Sequence, residues 1–283
     1  MKTLSLGYSP CPNDTFIFYA LVHKKIDTGD LMFKEMLLDV ETLNQMAVNS
    51  ELDITKVSFH AFGHLRDKYC LLHSGGALGK GCGPLIVARE DFDINNLKEK
   101  SIAVPGNLTT AFLLLKLYLA PSLLTPHSLP AFIVMPFDKI IDAVRNREVD
   151  AGLIIHESRF TYQDSGLRKV IDLGEWWEEE TGLPIPLGCI LAKRGLGKEL
   201  IREIDSLIRK SIEYAISNRN EPESYIKMHS QELADEVIRQ HINLYVNNYS
   251  IDLGDDGIHA IEELFRRAEE KGIIPKSSKP FFA

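Results

Sequence analysis

The sequence predicts an α/β fold of two lobes, each built on a doubly wound sheet, joined by two hinge strands. Three patterns carry this. Stretches with apolar residues at every second position alternate with stretches whose apolar residues recur every three or four, as expected for helices covering mostly parallel strands. A strand–turn–helix block near residue 4 returns after a shift of 96 or 97 residues. Two apolar segments flanked by glycine and proline, 81–90 and 184–194, bracket the second copy.

In chain order, "TLSLGYS" (3–9) alternates as a strand and "PCPND" ends it, because proline lacks the N–H donor and fixes its own φ. Asn13 or Asp14 is placed to cap the apolar helix "DTFIFYALVHKK". A strand running straight into a helix start leaves free N–H groups above its carboxyl end, where an anion or polar group can sit. Ser9 or Asp14 is therefore expected to face a cleft. The segment 39–60, "DVETLNQMAVNSELDITKVSFH", reads as helix then strand. With a period of two, Lys56 and Ser58 share one strand face while Val57 and Phe59 share the other. A lysine in a buried strand needs a partner. His60 and His64 stand at i, i+4 with no third ligand in view, so no metal site is predicted.

The second copy begins at "KSIAVPGNLTTAFLLLKLYL" (100–119), where Thr109 and Thr110 open a helix whose positive end suits a carboxylate. It continues at "PFDKIIDAVRNREVDAGLIIHE" (136–157), where Asn146-x-Glu148-x-Asp150 repeats Asn49-x-Glu51-x-Asp53. Each half reads β-α-β-α-β, and ligands of such sheets bind beyond the carboxyl ends of the strands. His156 ends the last strand of the second copy, facing that crevice, and imidazole exchanges a proton near neutrality. Glu157 would point the opposite way if the strand continued.

The bracketing segments are read as paired crossover strands at about 84–90 and 187–193. Lobe one is then 1–88 with 193–283, and lobe two is 91–190. Beyond them, "KELIREIDSLIRKSIEYAI", "QELADEVIRQHINLYV" and "GIHAIEELFRRAEE" have helical period and close back on lobe one; "PKSSKPFFA" has none.

Charge narrows the function. Lysine and arginine number 32 against 40 acidic residues, a net −8 with no basic run, which argues against nucleic acid and anionic membranes as partners. No stretch of about 18 apolar residues is present and the first residues do not form a secretory leader, so a cytoplasmic protein is expected. Cys11, Cys70, Cys82 and Cys189 form no C-x-x-C pair and read as structural thiols, Cys11 in the opening turn being the exception to watch. There is no G-x-G-x-x-G, P-loop or G-x-S-x-G, and "SGGALGKGCGP" (74–84) lacks phosphate-loop spacing, so no cofactor is expected.

Taken together, "SPCPNDTFIFYALV", "DVETLN", "TKVSF", "HSGGALGKGCGPLIVAR", "VPGNLTTAF", "AGLIIHESRFTY", "DLGEWWEEETGLPIPLG" and "DEVIRQHINLYVNNYS" resemble the 1,4-dihydroxy-6-naphthoate synthase family of the futalosine route to menaquinone, over nearly the whole chain. The resemblance implies a two-lobed periplasmic-binding-protein-like fold of type II. It also implies a cofactor-independent lyase that cleaves a carbon–carbon bond of a small molecule, cyclic dehypoxanthinylfutalosine, to give 1,4-dihydroxy-6-naphthoate. His156 takes the place of that family's proton acceptor. Lys56, Val57, Ser58, Thr109, Thr110 and Asn44 fall on its substrate contacts. The related chorismate dehydratase and a non-catalytic solute-binding protein are the alternatives.

Overall fold

The computed structural model describes residues 1–93, 100–120, 130–230 and 234–283. The parts of lobe two at 94–99 and 121–129, and the first three residues of "QELADEVIRQHINLYV", lie outside the described residues. The first half runs β1 (Lys2–Tyr8), α1 (Pro12–Val22), β2 (Leu31–Leu37), α2 (Val40–Val48), β3 (Ile54–Ser58), α3 (Phe59–Leu65), β4 (Tyr69–Leu71) and β5 (Ala77–Gly79). The second runs β6 (Leu85–Ala88), β7 (Ser101–Val104), α4 (Thr110–Leu119), β8 (Ala131–Val134), α5 (Phe137–Arg145), β9 (Ala151–Ile154), α6 (Ser158–Thr161), β10 (Arg168–Asp172) and α7 (Leu173–Thr181). A long strand, β11 (Ile185–Lys193), leads into α8 (Lys198–Ser217), α9 (Glu223–His229), α10 (Asp235–Tyr245), α11 (Asn248–Ile251) and α12 (Gly254–Glu270).

Two sheets result. The first has the order β2-β1-β3-β11-β4 with β5 also on β11, the second β10-β6-β9-β7-β8. The repeat is structural: β1 pairs in parallel with β2 and β3, as β7 does with β8 and β9. The same latch ties each copy. Asp53 accepts from Ser5 N and Oγ at 3.0 and 2.9 Å, and Asp150 accepts from Ser101 N and Oγ at 2.8 and 2.9 Å. Each aspartate N–H donates back to its serine hydroxyl. The turns before the aspartates also match, since Asn49 and Asn146 close α2 and α5 and the next residues, Ser50 and Arg147, take φ of 60° and 66°.

Three expectations need correction. The sheets are mixed rather than mostly parallel, because β6 and β11 run antiparallel to their neighbours. Those two strands do not pair with each other; β6 lies between β9 and β10 in the second sheet and β11 beside β3 in the first, so each is an interior sheet strand. Asn13 and Asp14 do not cap α1: Cys11 occupies the cap position without a side-chain hydrogen bond, Pro12 is the first helical residue, and the helix stops at Val22.

Packing follows the period of two. In the second sheet Leu85, Val87 and Ala103 face α5, while Ile86, Ala88, Ile102 and Val104 join the larger core around Trp177 and Phe62. In the first, Leu4, Leu6 and Ile54 pack against α1 and α8. The carboxyl tail, which has no periodicity, is held by arginines: Arg66 donates to the Ser277 and Lys279 carbonyls at 2.9 Å, and Leu71 N–H donates to the Phe281 carbonyl at 2.7 Å. No helix among the described residues is long and apolar enough to cross a membrane.

Candidate active site

The carboxyl ends of β1, β3 and β9 and the start of α4 converge on a cleft of about 740 Å³, counting its open mouth. That is the size of a small-molecule site.

On the first-lobe side, Lys56 is only 5% exposed and its Nζ stands 3.3 Å from Asp14 Oδ1 and donates to the Gly75 carbonyl at 2.8 Å. Asp14 is the partner that a strand lysine requires. It also accepts from Ser9 N and Oγ at 3.2 and 2.7 Å and from Asn13 Nδ2 at 2.9 Å, so both oxygens of the buried carboxylate are hydrogen-bonded. Ser58 lines the cleft on the same strand face. Val57 lines it too, but its side chain lies in the core, so it offers main chain. Asn44 stands behind the wall: its Oδ1 accepts from Ser58 N at 2.9 Å, and its Nδ2 reaches Ser58 Oγ at 3.3 Å and Glu41 Oε2 at 3.2 Å.

On the second-lobe side, Thr109 and Thr110 line the cleft with their hydroxyls engaged. Thr109 Oγ1 caps α4 by accepting from Phe112 N at 3.3 Å, and Thr110 Oγ1 donates to the Leu187 carbonyl at 2.6 Å. What this helix start offers a ligand is backbone N–H and the positive end of its dipole. The lobes touch here. Glu41 accepts from Asn107 N and Leu108 N at 3.1 and 3.2 Å, and the His60 ring is 3.2 Å from the Thr109 carbonyl.

His156 follows two residues after β9 with φ +56°, a left-handed conformation costly for a residue with a Cβ. That backbone turn ends the alternation and swings the chain into α6. Glu157 therefore does not point away, as a continuing strand would require; its ligand oxygen, His156 and Cys11 Sγ all lie within 4.8 Å of one another. The Cys11 thiol is 3.6 Å from His156 Nδ1, and Phe137 packs edge-on at 5.0 Å. Burial lowers the His156 pKa, opposed by the negative charges of Glu157 and Asp14. Burial also pushes the Cys11 thiol well up, with Glu157 adding to it, so the sulfur keeps its proton at neutral pH. The trio has the donor types for a soft cation, but binding one would first require that proton to leave.

Sequence reasoning placed Ser9, Asp14, Lys56, Ser58, Thr109, Thr110 and His156 around one cleft, and the fold brings them together. It missed Arg159, Tyr245 and His241, which also line the cleft. His241 was legible in part: within "VIRQHINLY" it occupies the apolar stripe of Ile238, Ile242 and Tyr245, where a polar side chain is out of place. Nothing in the sequence signals Glu41.

Residues 4–270 match the family described as menaquinone biosynthesis. The chain belongs to that family. Within the menaquinone biosynthesis family it is 49% identical over 282 residues to a Thermus thermophilus protein named 1,4-dihydroxy-6-naphthoate synthase, covering 100% of both chains. Among solved structures it is similar to protein AF1704 from Archaeoglobus fulgidus, at 40% identity and TM-score 0.88 over 96% of this chain and 98% of that one. It is also similar to the Candida albicans CA3427 gene product, described as having the generic periplasmic binding protein fold, at 18% identity and TM-score 0.70 over 98% and 92% of the two chains. The two-lobed periplasmic-binding-protein-like fold is thereby shown for this menaquinone-family chain.

Proposed function

We propose that the chain is a 1,4-dihydroxy-6-naphthoate synthase, a carbon–carbon lyase of menaquinone biosynthesis whose substrate is cyclic dehypoxanthinylfutalosine. The full-length match to a synthase of that name carries the reaction. The place of His156, an imidazole lining the cleft just beyond β9 with Cys11 Sγ 3.6 Å from its Nδ1, carries the assignment of the base. The lobes, the first taking β1 to β5 with β11 and the helices after it and the second taking β6 to α7, close over the substrate in the cytoplasm.

The substrate carboxylate docks on the backbone N–H groups that open α4, beside Lys56 and Ser58. His156 works as a base through Nε2 in the tautomer whose Nδ1–H donates to Cys11 Sγ; a neutral ring at physiological pH follows from its lowered pKa. The proton it removes starts the elimination that breaks the carbon–carbon bond, and aromatisation of the product drives the step. Asp14 and Lys56 neutralise each other and hold the floor of the site, and closure excludes water.

Purified protein mixed with cyclic dehypoxanthinylfutalosine is expected to give 1,4-dihydroxy-6-naphthoate, followed by absorbance and mass. His156→Ala should fold and lose at least about 10²-fold in kcat, the usual minimum for a general base. Turnover of the variant within about tenfold of wild type removes His156 from that role. No product from wild type, with dehydration of chorismate or tight binding of another small acid instead, overturns the reaction assigned.

A further inference from the structure

His241 is the most isolated polar group in the site. It sits on α10, is 1% exposed, lines the cleft, and has no hydrogen-bond partner for either ring nitrogen among the described residues. Its surroundings are rings: Tyr245 one turn on at 4.6 Å between centroids, and His156 across the cleft at 6.3 Å. Tyr245 does not serve it: the tyrosine hydroxyl donates to the Cys82 carbonyl at 3.4 Å and neither ring nitrogen of His241 has a hydrogen bond to it. Nearly all buried polar groups in proteins are hydrogen-bonded, and one left without a partner in a ligand cavity signals a partner that arrives with the ligand.

We infer that His241 is a substrate-binding residue whose ring nitrogens hydrogen-bond a neutral hydroxyl of the substrate, on the first-lobe wall of the cleft. The chemistry of the ring selects that class of group. A neutral imidazole carries one N–H donor and one bare acceptor, which matches a hydroxyl that both donates and accepts. A carboxylate or phosphate would want a cation, and burial together with the neighbouring His156 holds this ring uncharged. The start of α4 lies on the second-lobe wall and His241 on the first, so the two walls sort a substrate that is acidic at one end and a polyol at the other.

The position also links binding to closure. α10 packs on α1 and β5 of the first lobe, whereas His156 belongs to the second. A hydroxyl held by His241 keeps the substrate against the first lobe while the base approaches from the second. The inference rests on the proposed reaction for its substrate, but its structural half does not.

The test uses full-length His241→Phe, which fills the same space without nitrogen, beside His241→Gln, which keeps one donor and one acceptor. Loss of a hydrogen bond to a buried hydroxyl should lower kcat/KM of the Phe variant about tenfold, mostly through KM, and the Gln variant should recover part of it. Because no bond is lost in the free protein, the thermal midpoint of the Phe variant should equal or exceed that of wild type. An unchanged kcat/KM, or an equal loss in Phe and Gln, overturns the inference. A thermal midpoint several degrees lower in the Phe variant does so too, since it means that the imidazole serves the fold. The two assignments fail separately: wild type inert toward cyclic dehypoxanthinylfutalosine sinks the reaction, and the midpoint comparison still reads His241.

Discussion

At the scale of single residues, three buried histidines show what the fold demands of its titratable groups. Burial lowers the pKa of His156 and His241, and it lowers that of His60 from the usual 6.5 to about 3, where the ring lies against the Thr109 carbonyl and near Lys116. The direction fixes a pH dependence. Between pH 6.5 and about 3 the unfolded chain binds a proton at His60 that the folded chain refuses, so stability is full above 6.5 and falls as pH drops through that window. The contribution of one such group is about 1.4 kcal/mol per pH unit. Urea midpoints measured from pH 7 to 4 should decline, and His60→Asn should decline less steeply; equal slopes would mean that His60 is protonated in the native state. This environment was partly legible. That His60 follows a buried strand could be read from "ITKVSFH", but its contact with Thr109 spans 49 positions and has no local signature.

At the scale of elements, the repeat was legible where it is local and hidden where it is not. Asn49-x-Glu51-x-Asp53 and Asn146-x-Glu148-x-Asp150 are visible as text because a helix end, a left-handed turn residue and a strand start must follow in fixed order. The serine that each aspartate serves lies 48 or 49 residues upstream, on the neighbouring strand. Both aspartates have lowered pKa values, for the same reason in each lobe: the serine N–H and hydroxyl and a nearby lysine outweigh desolvation. Asp53→Ala and Asp150→Ala should therefore each destabilise the chain by about 1.5–3 kcal/mol, the range for hydrogen bonds to a charged group, and by similar amounts. Chemical denaturation of the two variants checks it, a loss at one site only meaning that the latches are not equivalent. The pairing of the hinge segments was misread at this same scale. Glycine and proline flanks mark where strands begin and end, but only long-range pairing shows that β11 joins β3, β4 and β5 in one sheet while β6 joins the other.

At the scale of the molecule, the two lobes share one hydrophobic core, and Glu41 adds a charged bridge between them. Its carboxylate, on the first lobe, accepts from Asn107 N and Leu108 N on the second and from Asn44 Nδ2 behind it. Gly106 leaves it room, since a Cβ there would lie 2.5 Å from the carboxylate. Other bridges include the Thr110 hydroxyl on the Leu187 carbonyl of β11 at 2.6 Å, a thiol–imidazole contact at 3.6 Å between Cys11 and His156, and the hydrogen bonds of His60 to the start of α4. A charged acceptor on two backbone donors is the strongest of these, so removing it should shift the unliganded protein toward an open form without touching either sheet. Glu41→Ala is expected to give a larger radius of gyration than wild type by small-angle scattering, and saturating substrate analogue should return it to the wild-type value. The closing free energy then comes from the ligand alone, so KM should rise while the kcat of the saturated enzyme stays close to wild type. A variant as compact as wild type without ligand would place the closing force in the hydrophobic contact between α3 and α4 instead, where Phe59, Phe62 and Leu115 share one core.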